Sequence, residues 1–189
     1  LTVGVPGRHS RSSVWAKGRS CVNAAEAEAV RDICVDLCMK RIATTEMVSV
    51  ISLSRAQVQR IRSELRAAGL AQIRCGTVDD FQGQESEVVL ISCVGSSAKA
   101  LDTSKKRFNV AITRARRLLI VVGSLPVLRS KDAGPWHDLC EACRDRGSFL
   151  AMRGGDAGEG EGGEGERRGK RAAQGNYSRS HAIQPRGWG

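Results

Sequence analysis

The chain has 189 residues, 30 Lys and Arg against 20 Asp and Glu, a formal net charge of +10 and an aromatic content of 4%. This length suits one domain with a tail, and the sequence has no run of about 20 apolar residues of the kind that a membrane-spanning helix needs. Its seven cysteines, an odd number, do not indicate the disulfide-stapled class of small secreted proteins. We therefore expect a soluble intracellular protein with no membrane contact and no disulfide partner, whose charge suits a polyanion.

Composition divides the chain near residue 150. Eleven of the 21 glycines lie in residues 151–189, where Gly and Glu alternate before a basic cluster at 167–171. Such a segment cannot bury apolar area, so we predict a disordered tail at 151–189 and a folded domain at 1–150. The basic cluster is interpreted as a solvated tail, with a localisation signal or an accessory RNA contact as the alternative.

The predicted elements alternate between helices and apolar strands. Residues 1–20 are polar and indicate a loop or the remnant of an element. Asn23, followed three residues later by Glu26, is typical of a capped helix start, and apolar residues then repeat at helical spacing to about residue 40. The further predicted elements are strands at 47–53, 72–76, 88–94 and 118–123, and helices at 54–68, 107–115 and around 136–143. Because the strands are apolar throughout, we predict an α/β fold with a doubly wound, mostly parallel sheet covered by helices on both faces.

Two of the cysteines, Cys140 and Cys143, have the spacing of half a zinc site. No second pair of Cys or His lies at a matching distance, and Cys34 and Cys38 fall on one face of the predicted first helix. We therefore predict buried free thiols and no metal site.

Two polar segments adjoin predicted strands, and ligands of doubly wound sheets collect beyond the carboxyl ends of the strands. Residues 77–85, Thr-Val-Asp-Asp-Phe-Gln-Gly-Gln-Glu, group polar side chains around Gly83, which lets a ligand approach the backbone. Residues 107–117 place four arginines on a predicted short helix, and a guanidinium binds phosphate through two parallel hydrogen bonds. We expect a phosphate-bearing ligand here, with an exposed basic helix as the alternative.

These two segments resemble motifs V and VI of superfamily 1 helicases, in particular the nonsense-decay, Senataxin and Armitage branch, which acts mostly on RNA. In that family motif V runs T-V-D-x-F-Q-G-x-E and motif VI runs R-x-N-V-A-x-T-R-A, and this sequence carries every fixed letter of both. Asn23-x-x-Glu26 is similar to the family's N-x-x-E-A helix start, and residues 50–57 are similar to motif IV. The resemblance covers residues 1–150 and implies the second RecA-like domain, with a P-loop NTPase fold.

The resemblance also implies roles for individual residues. Arg114 is similar to the motif VI arginine finger, which reaches the γ-phosphate and stabilises the transition state of hydrolysis. The other residues implied in ATP binding are Gln57, Gly83, Glu85 and Arg107. The residues implied in nucleic-acid binding are Thr77, Asn109 and Thr113, with capping and packing of the short helix as the alternative for the last two. The implied ligands are ATP with Mg²⁺ and single-stranded RNA, with DNA as the alternative.

Some motifs of the family are absent from this sequence. No G-x-x-x-x-G-K-[ST] and no D-E-A-x pair occurs, and Ser52-Leu53-Ser54 stands where relatives carry Thr-Pro-Tyr in motif IV. We therefore expect a second lobe that is inactive alone and whose partner is the N-terminal RecA-like lobe, which would hold Mg²⁺. The alternatives are a non-catalytic RNA-binding or interaction module and the lobe of a DNA helicase. Cytoplasmic location is expected, with the nucleus as the alternative.

Overall fold

The computed structural model describes residues 13–16, 20–95, 97–98 and 101–148, with the backbone alone for 13–16 and 20. The tail predicted at 151–189 lies outside the described residues. The strands are β1 (Ser13–Ala16), β2 (Ser20–Asn23), β3 (Val48–Ser52), β4 (Arg74–Thr77), β5 (Ser86–Ser92) and β6 (Ala115–Val122). The helices are α1 (Ala24–Met39), α2 (Arg55–Ala67), α3 (Lys105–Ile112), α4 (Leu125–Leu128) and α5 (Pro135–Asp145). No helix among the described residues has the length and apolar character needed to cross a membrane.

Four strands form a parallel sheet in the order β4-β3-β5-β6. Its centre is in tight register, because Ile51 of β3 pairs with Gly76 of β4 on one side and with Ile91 of β5 on the other. The two central strands, β3 and β5, are buried over most of their length, as parallel strands covered on both faces should be. The predicted parallel sheet is therefore confirmed.

The two faces of the sheet carry separate apolar cores, since successive residues of a strand point to opposite sides. Val50 and Leu90 lie in the core that α1 and α2 cover. Their neighbours Ile51 and Ile91 lie in the core that α3, α4 and α5 cover, where Trp136 is the largest buried side chain. Helices on both faces confirm the doubly wound α/β architecture.

The start of α1 follows from its capping residue. The side chain of Asn23 accepts a hydrogen bond from the backbone N–H of Glu26 at 3.1 Å, which satisfies one of the free donors of the first turn. The predicted helix start is therefore confirmed. Helix α2 ends before Gly69, whose φ of +75° is the left-handed conformation that glycine adopts without strain.

The structure decides between two alternatives at residues 13–16 and corrects one helix boundary. Residues 13–16 belong to an element and not to a loop, because β1 pairs antiparallel with β2 from Ser13↔Asn23 to Ala16↔Ser20. Residues 1–12 and 17–19 of the same prediction lie outside the described residues. The helix predicted at 107–115 ends at Ile112, where the Thr113 hydroxyl donates to the Asn109 carbonyl at 2.8 Å, and Ala115 already pairs with Ser86 in the sheet. The arginines after the helix therefore lie at the helix–strand junction and on β6.

Candidate nucleotide and nucleic-acid site

Arg114 and Glu85 lie side by side at the amino edge of the sheet. Ser86 and Ala115, the first residues of β5 and β6, pair in register, and the Ser86 N–H donates to the Arg114 carbonyl at 3.0 Å. The residues just before these strands are therefore neighbours, although 29 positions separate them in the sequence. This position differs from the expectation that the ligand residues gather at the carboxyl ends of the strands.

The guanidinium of Arg114 is held by neutral acceptors. Its Nε donates to the Val110 carbonyl at 2.9 Å, its Nη2 to the Thr113 hydroxyl at 3.1 Å and its Nη1 to the Gln84 carbonyl at 3.5 Å. Within the described residues it forms no ion pair with a carboxylate. Its full positive charge is therefore fixed in position and uncompensated, as a phosphate-binding arginine requires.

The arginines that follow are different, because each forms ion pairs. Arg116 Nε lies 3.0 Å from Glu85 Oε2, and Arg117 Nε lies 3.1 Å from Glu87 Oε2. These pairs are exposed, with Arg117 side-chain exposure of 78%. Of the three, Arg114 is thus the one whose charge is available to a ligand at this edge.

Gly83 leaves the backbone open beside these groups. Its φ is +76°, and a Cβ placed there would meet no atom within 4 Å. The surface over this turn can therefore receive a ligand against the main chain. The half-exposed Glu85 carboxylate, although paired with Arg116, has further lone pairs that can accept from a hydroxyl, and the Arg114 guanidinium can donate to an anion.

Thr77 lies at the opposite, carboxyl edge, as the last residue of β4. Its backbone N–H and its hydroxyl both donate to Asp80 Oδ2, at 2.8 Å and 2.9 Å. The two bonds, the backbone one foremost, lower the pKa of Asp80, and the charges of Arg55 and Arg62 act in the same direction. Residues 77–80 therefore form a small loop that is closed on itself by a fixed carboxylate.

Arg107 lies at this carboxyl edge as well. Its Nη1 lies 2.6 Å from Asp102 Oδ2 and its Nη2 lies 3.2 Å from Asp79 Oδ2, while its buried Nε has no partner among the described residues. Seven residues of nearly helical chain, a rise of about 10 Å, separate it from Arg114. The structure therefore does not bring these two predicted ATP ligands together.

Asn109 and Thr113 take part in the hydrogen bonds that end helix α3. The Thr113 hydroxyl donates to the carbonyls of Asn109 and Val110, at 2.8 Å and 3.2 Å, and closes the last turn of α3. Thr113 also accepts from Arg114, so it lies with the amino-edge group and away from Thr77. The side chain of Asn109 is exposed.

Gln57 belongs to a buried polar cluster that we define by Asn23, Glu26, Gln57 and Ser92. Gln57 is 0% exposed. Its Oε1 accepts from the Asn23 N–H at 2.9 Å, and its Nε2 donates to the Asn23 carbonyl at 3.0 Å and to Ser92 Oγ at 3.3 Å. The Gln57 side chain is thus bonded within the protein and not exposed. Its contact with ATP stays a prediction, which would require this cluster to open.

Glu26 is the ionisable member of the cluster. Ser92 Oγ donates to its Oε2 at 2.9 Å and Asn23 Nδ2 donates to its Oε1 at 3.1 Å, yet burial dominates and raises the pKa of Glu26 to about 8. In the sequence, Glu26 was interpreted only as part of a helix start. A signal was present, because Glu26 lies four, seven and eleven residues before Val30, Ile33 and Leu37 on one helical stripe.

A family model described as an AAA domain matches residues 3–126, about two thirds of the chain. The matched range contains both motif segments. The chain belongs to this family, as the C-terminal domain of a superfamily 1 helicase. The resemblance found in motifs V and VI is therefore confirmed, and with it the RecA-like character of the parallel sheet.

Several curated helicases are similar to this helicase domain. It is 35% identical over 170 residues to "Putative helicase MOV-10" of Gallus gallus, covering 77% of this chain and 17% of that protein. It is 39% identical over 139 residues to RNA helicase Mov10l1 of Homo sapiens, covering 66% and 11%, and 35% identical over 132 residues to 5'-3' DNA helicase ZGRF1 of Mus musculus, covering 67% and 7%. The chain thus spans less than a fifth of the length of these relatives.

Among the solved structures that are similar is the C-terminal domain of a possible DNA helicase from Lactobacillus plantarum WCFS1, with a TM-score of 0.47 and 14% sequence identity. The match covers 79% of this chain and 83% of that one.

Proposed function

We propose that this domain is the second RecA-like lobe of an ATP-dependent RNA helicase and that Arg114 is its arginine finger. The amino edge of the sheet would face ATP, and the carboxyl edge would contact single-stranded RNA. The first RecA-like lobe would complete both sites. The domain alone would then hydrolyse no ATP, because its sequence has no phosphate-binding loop of the G-x-x-x-x-G-K-[ST] type.

The observation that supports this proposal most strongly is the state of the Arg114 guanidinium. It is fixed by three neutral acceptors and has no carboxylate partner among the described residues, whereas Arg116 and Arg117 are both ion-paired. A finger stabilises the charge that develops on the transferred phosphoryl group, and a guanidinium already paired with a carboxylate would do so less well. The position, the fixed orientation and the unpaired charge of the Arg114 guanidinium therefore favour this residue as the arginine finger.

The other residues of the amino edge would orient the nucleotide. Gly83 would let it approach the main chain, and the Glu85 carboxylate would accept from a ribose hydroxyl. Bound ATP supplies the phosphoanhydride whose hydrolysis drives the motor. We assign Mg²⁺ to the first lobe, because the G-x-x-x-x-G-K-[ST] and D-E-A-x motifs that hold it do not occur in this sequence.

At the carboxyl edge, Thr77 would contact the phosphate backbone of RNA. Its backbone N–H is already engaged with Asp80, so the contact would use the threonine hydroxyl after rotation or the neighbouring main chain. Arg107 lies at the same edge, where its ion pairs with Asp79 and Asp102 would hold the Thr77 loop against helix α3. The role in ATP binding that the motifs imply for Arg107 is therefore less well supported than a positioning role beside the RNA path.

DNA is the second candidate substrate. It is favoured by the similarity to the protein named 5'-3' DNA helicase ZGRF1, at an identity close to that of the proteins of the MOV-10 type. Stimulation of ATP hydrolysis by oligouridine and by oligothymidine, measured on the full-length protein at the same salt concentration, separates the two. Stronger stimulation by oligouridine is expected.

The finger assignment is tested by Arg114→Ala in the full-length protein. We expect ATP turnover to fall about 10³-fold or more, as for other arginine fingers, while RNA affinity stays within about twofold. Arg117→Ala is the matched control, since it removes a nearby arginine that is exposed and ion-paired. Equal turnover in the two variants would refute the finger, and loss of RNA binding in Arg114→Ala would indicate a structural role instead.

A further inference from the structure

A cleft of about 540 Å³ lies on the outer side of β4, the edge strand of the sheet. We call it the edge cleft. Its lining includes Arg62, Arg66, Gln72, Arg74, Asp80 and Phe81. The wall of the cleft is thus formed by α2, by the turn before β4, by β4 itself and by the loop that follows it. The proposed function assigns no role to this surface.

The arginines of α2 are spaced so that they share one face of the helix. Arg55, Arg62 and Arg66 are separated by seven and four residues, which returns the chain to the same side after each interval. They extend over eleven residues, a length of about 16 Å. We call these three residues the arginine stripe of α2. Arg55 is close enough to Asp80 for its charge to lower the pKa of that carboxyl, so the stripe starts near the carboxyl edge of the sheet.

These arginines are not ion-paired, unlike others of the same helix. Arg60 on α2 lies 2.8 Å from Glu64, and Arg31 on α1 lies 2.8 Å from the other oxygen of that carboxylate. By contrast, Arg62, Arg66 and Arg74, which line the edge cleft, have no carboxylate within 4.0 Å in the described part of the chain. The same holds for Arg55, which lies outside the lining on the same face of α2. The cleft therefore has a concentrated positive charge that the protein leaves uncompensated, apart from Asp80.

Two of the guanidiniums are held in fixed positions. Nε and Nη2 of Arg62 donate to the Cys75 carbonyl of the edge strand at 3.1 Å and 2.7 Å. The guanidinium of Arg74 lies 4.8 Å from the centre of the Phe81 ring and donates to the Asp80 carbonyl at 3.3 Å. Because Arg62 covers an outward carbonyl of β4, pairing of another strand at this edge is disfavoured, and an anion is the better matched ligand.

We infer that the edge cleft binds the phosphate backbone of single-stranded nucleic acid. This inference rests on the proposed function and extends its RNA path, because Thr77 at the carboxyl end of β4 is three residues from Arg74. The arginine stripe formed by Arg55, Arg62 and Arg66 is about 16 Å long, which is longer than one phosphate. A single-stranded nucleic acid therefore suits it better than a free anion. The nucleic acid would pass from the carboxyl edge of the sheet along the outer side of β4. Its contacts with the protein would be independent of base sequence.

The test measures binding of a labelled 20-nucleotide oligouridine to the 189-residue chain by fluorescence anisotropy. In the double variant Arg66→Gln/Arg74→Gln we expect about tenfold weaker binding at low salt. The slope of log K against log salt concentration should also fall by about 1.4, since each lost phosphate contact removes about 0.7 for a single strand. Arg66→Gln alone removes no side-chain hydrogen bond described in the structure, so we expect a smaller loss of affinity with an unchanged circular dichroism spectrum and melting temperature.

The matched control is Arg60→Gln/Arg117→Gln, which removes the same charge from two ion-paired positions. We expect its affinity to stay within about twofold of wild type. Equally weakened oligouridine binding in both double variants would overturn the proposed role of the edge cleft and leave the proposed function intact. Displacement of the oligouridine by polyglutamate at equal charge concentration would also overturn it, in favour of an acidic protein partner. Absence of oligouridine binding by the wild-type chain would overturn the cleft, and the same absence in the full-length protein would overturn the RNA part of the proposed function.

Discussion

The buried carboxyl of Glu26 makes the stability of this domain depend on pH in an unusual direction. Burial raises the pKa of Glu26 from 4.5 to about 8 in the folded chain. Between these two values the unfolded chain releases a proton that the folded chain keeps, so folding becomes less favourable as pH rises. A carboxylate in an ion pair has the opposite effect. We therefore predict that Glu26→Gln stabilises the domain near neutral pH.

The size of the effect follows from the same two pKa values. Each pH unit between 4.5 and about 8 lowers the free energy of unfolding of the wild type by about 1.4 kcal/mol. The accumulated loss is about 3 kcal/mol at pH 7 and about 5 kcal/mol above pH 8, and it vanishes below pH 4. Glutamine resembles the protonated acid, because it is neutral and its carbonyl can accept from Asn23. Its amide can donate to Ser92 Oγ once the serine hydroxyl, which donates to Glu26 in the wild type, turns its proton away. Glu26→Gln should therefore recover most of this loss.

The assay is urea unfolding of wild type and variant, followed by circular dichroism from pH 4 to pH 9. We expect the two free energies of unfolding to coincide at pH 4 and to diverge by about 1.4 kcal/mol per pH unit above pH 4.5. Glu28→Gln is the control on the same helix, because that side chain is 49% exposed, and its effect should stay within about 0.5 kcal/mol. A difference between wild type and Glu26→Gln that is constant over pH would refute the reasoning.

Two further predictions concern stability at the carboxyl edge. Asp80→Asn should lower the melting temperature at pH 7, because the hydrogen bonds from Thr77 that lower the pKa of Asp80 favour its charged form. The difference between the two melting temperatures should close as pH falls below 3.8, since the wild-type carboxyl then takes up its proton. Trp136→Phe should cost about 1 kcal/mol in urea unfolding, since it keeps an aromatic ring but loses the bond from Nε1 to the Asp102 carbonyl at 2.9 Å, whereas Trp136→Ala should cost about 3–5 kcal/mol; equal costs would contradict this assignment.

The order and type of the elements could be predicted because they depend on local patterns. The start of α1 follows from Asn23 and the spacing of its apolar residues, and the parallel sheet follows from apolar strands separated by helices. The strand at residues 13–16 could not be told from a loop, because four residues are too few to show a period and the strand is defined by its pairing with β2. The end of α3 was missed as well, since it is set by the register of Ala115 against Ser86, a contact between distant parts of the chain.

The candidate site was predictable as a set of residues and unpredictable as an arrangement. The letters of the two motifs identify Arg114 and Thr77, but their separation to opposite edges of the sheet depends on the direction of β4, β5 and β6. The burial of Gln57 depends on Ser92, which is 35 residues away in the sequence. In contrast, the arginine stripe of α2 could have been recognised from the spacing of residues 55, 62 and 66 alone.

Both motif segments extend from one edge of the sheet to the other, and contacts join them at each end. At the carboxyl edge Arg107 of the second segment pairs with Asp79 of the first, at 3.2 Å. At the amino edge Arg114 donates to the Gln84 carbonyl, and its own carbonyl accepts from Ser86. A displacement of either segment therefore moves side chains at both edges. In the proposed helicase this is the physical connection by which a nucleotide at the amino edge would change the hold on RNA at the carboxyl edge.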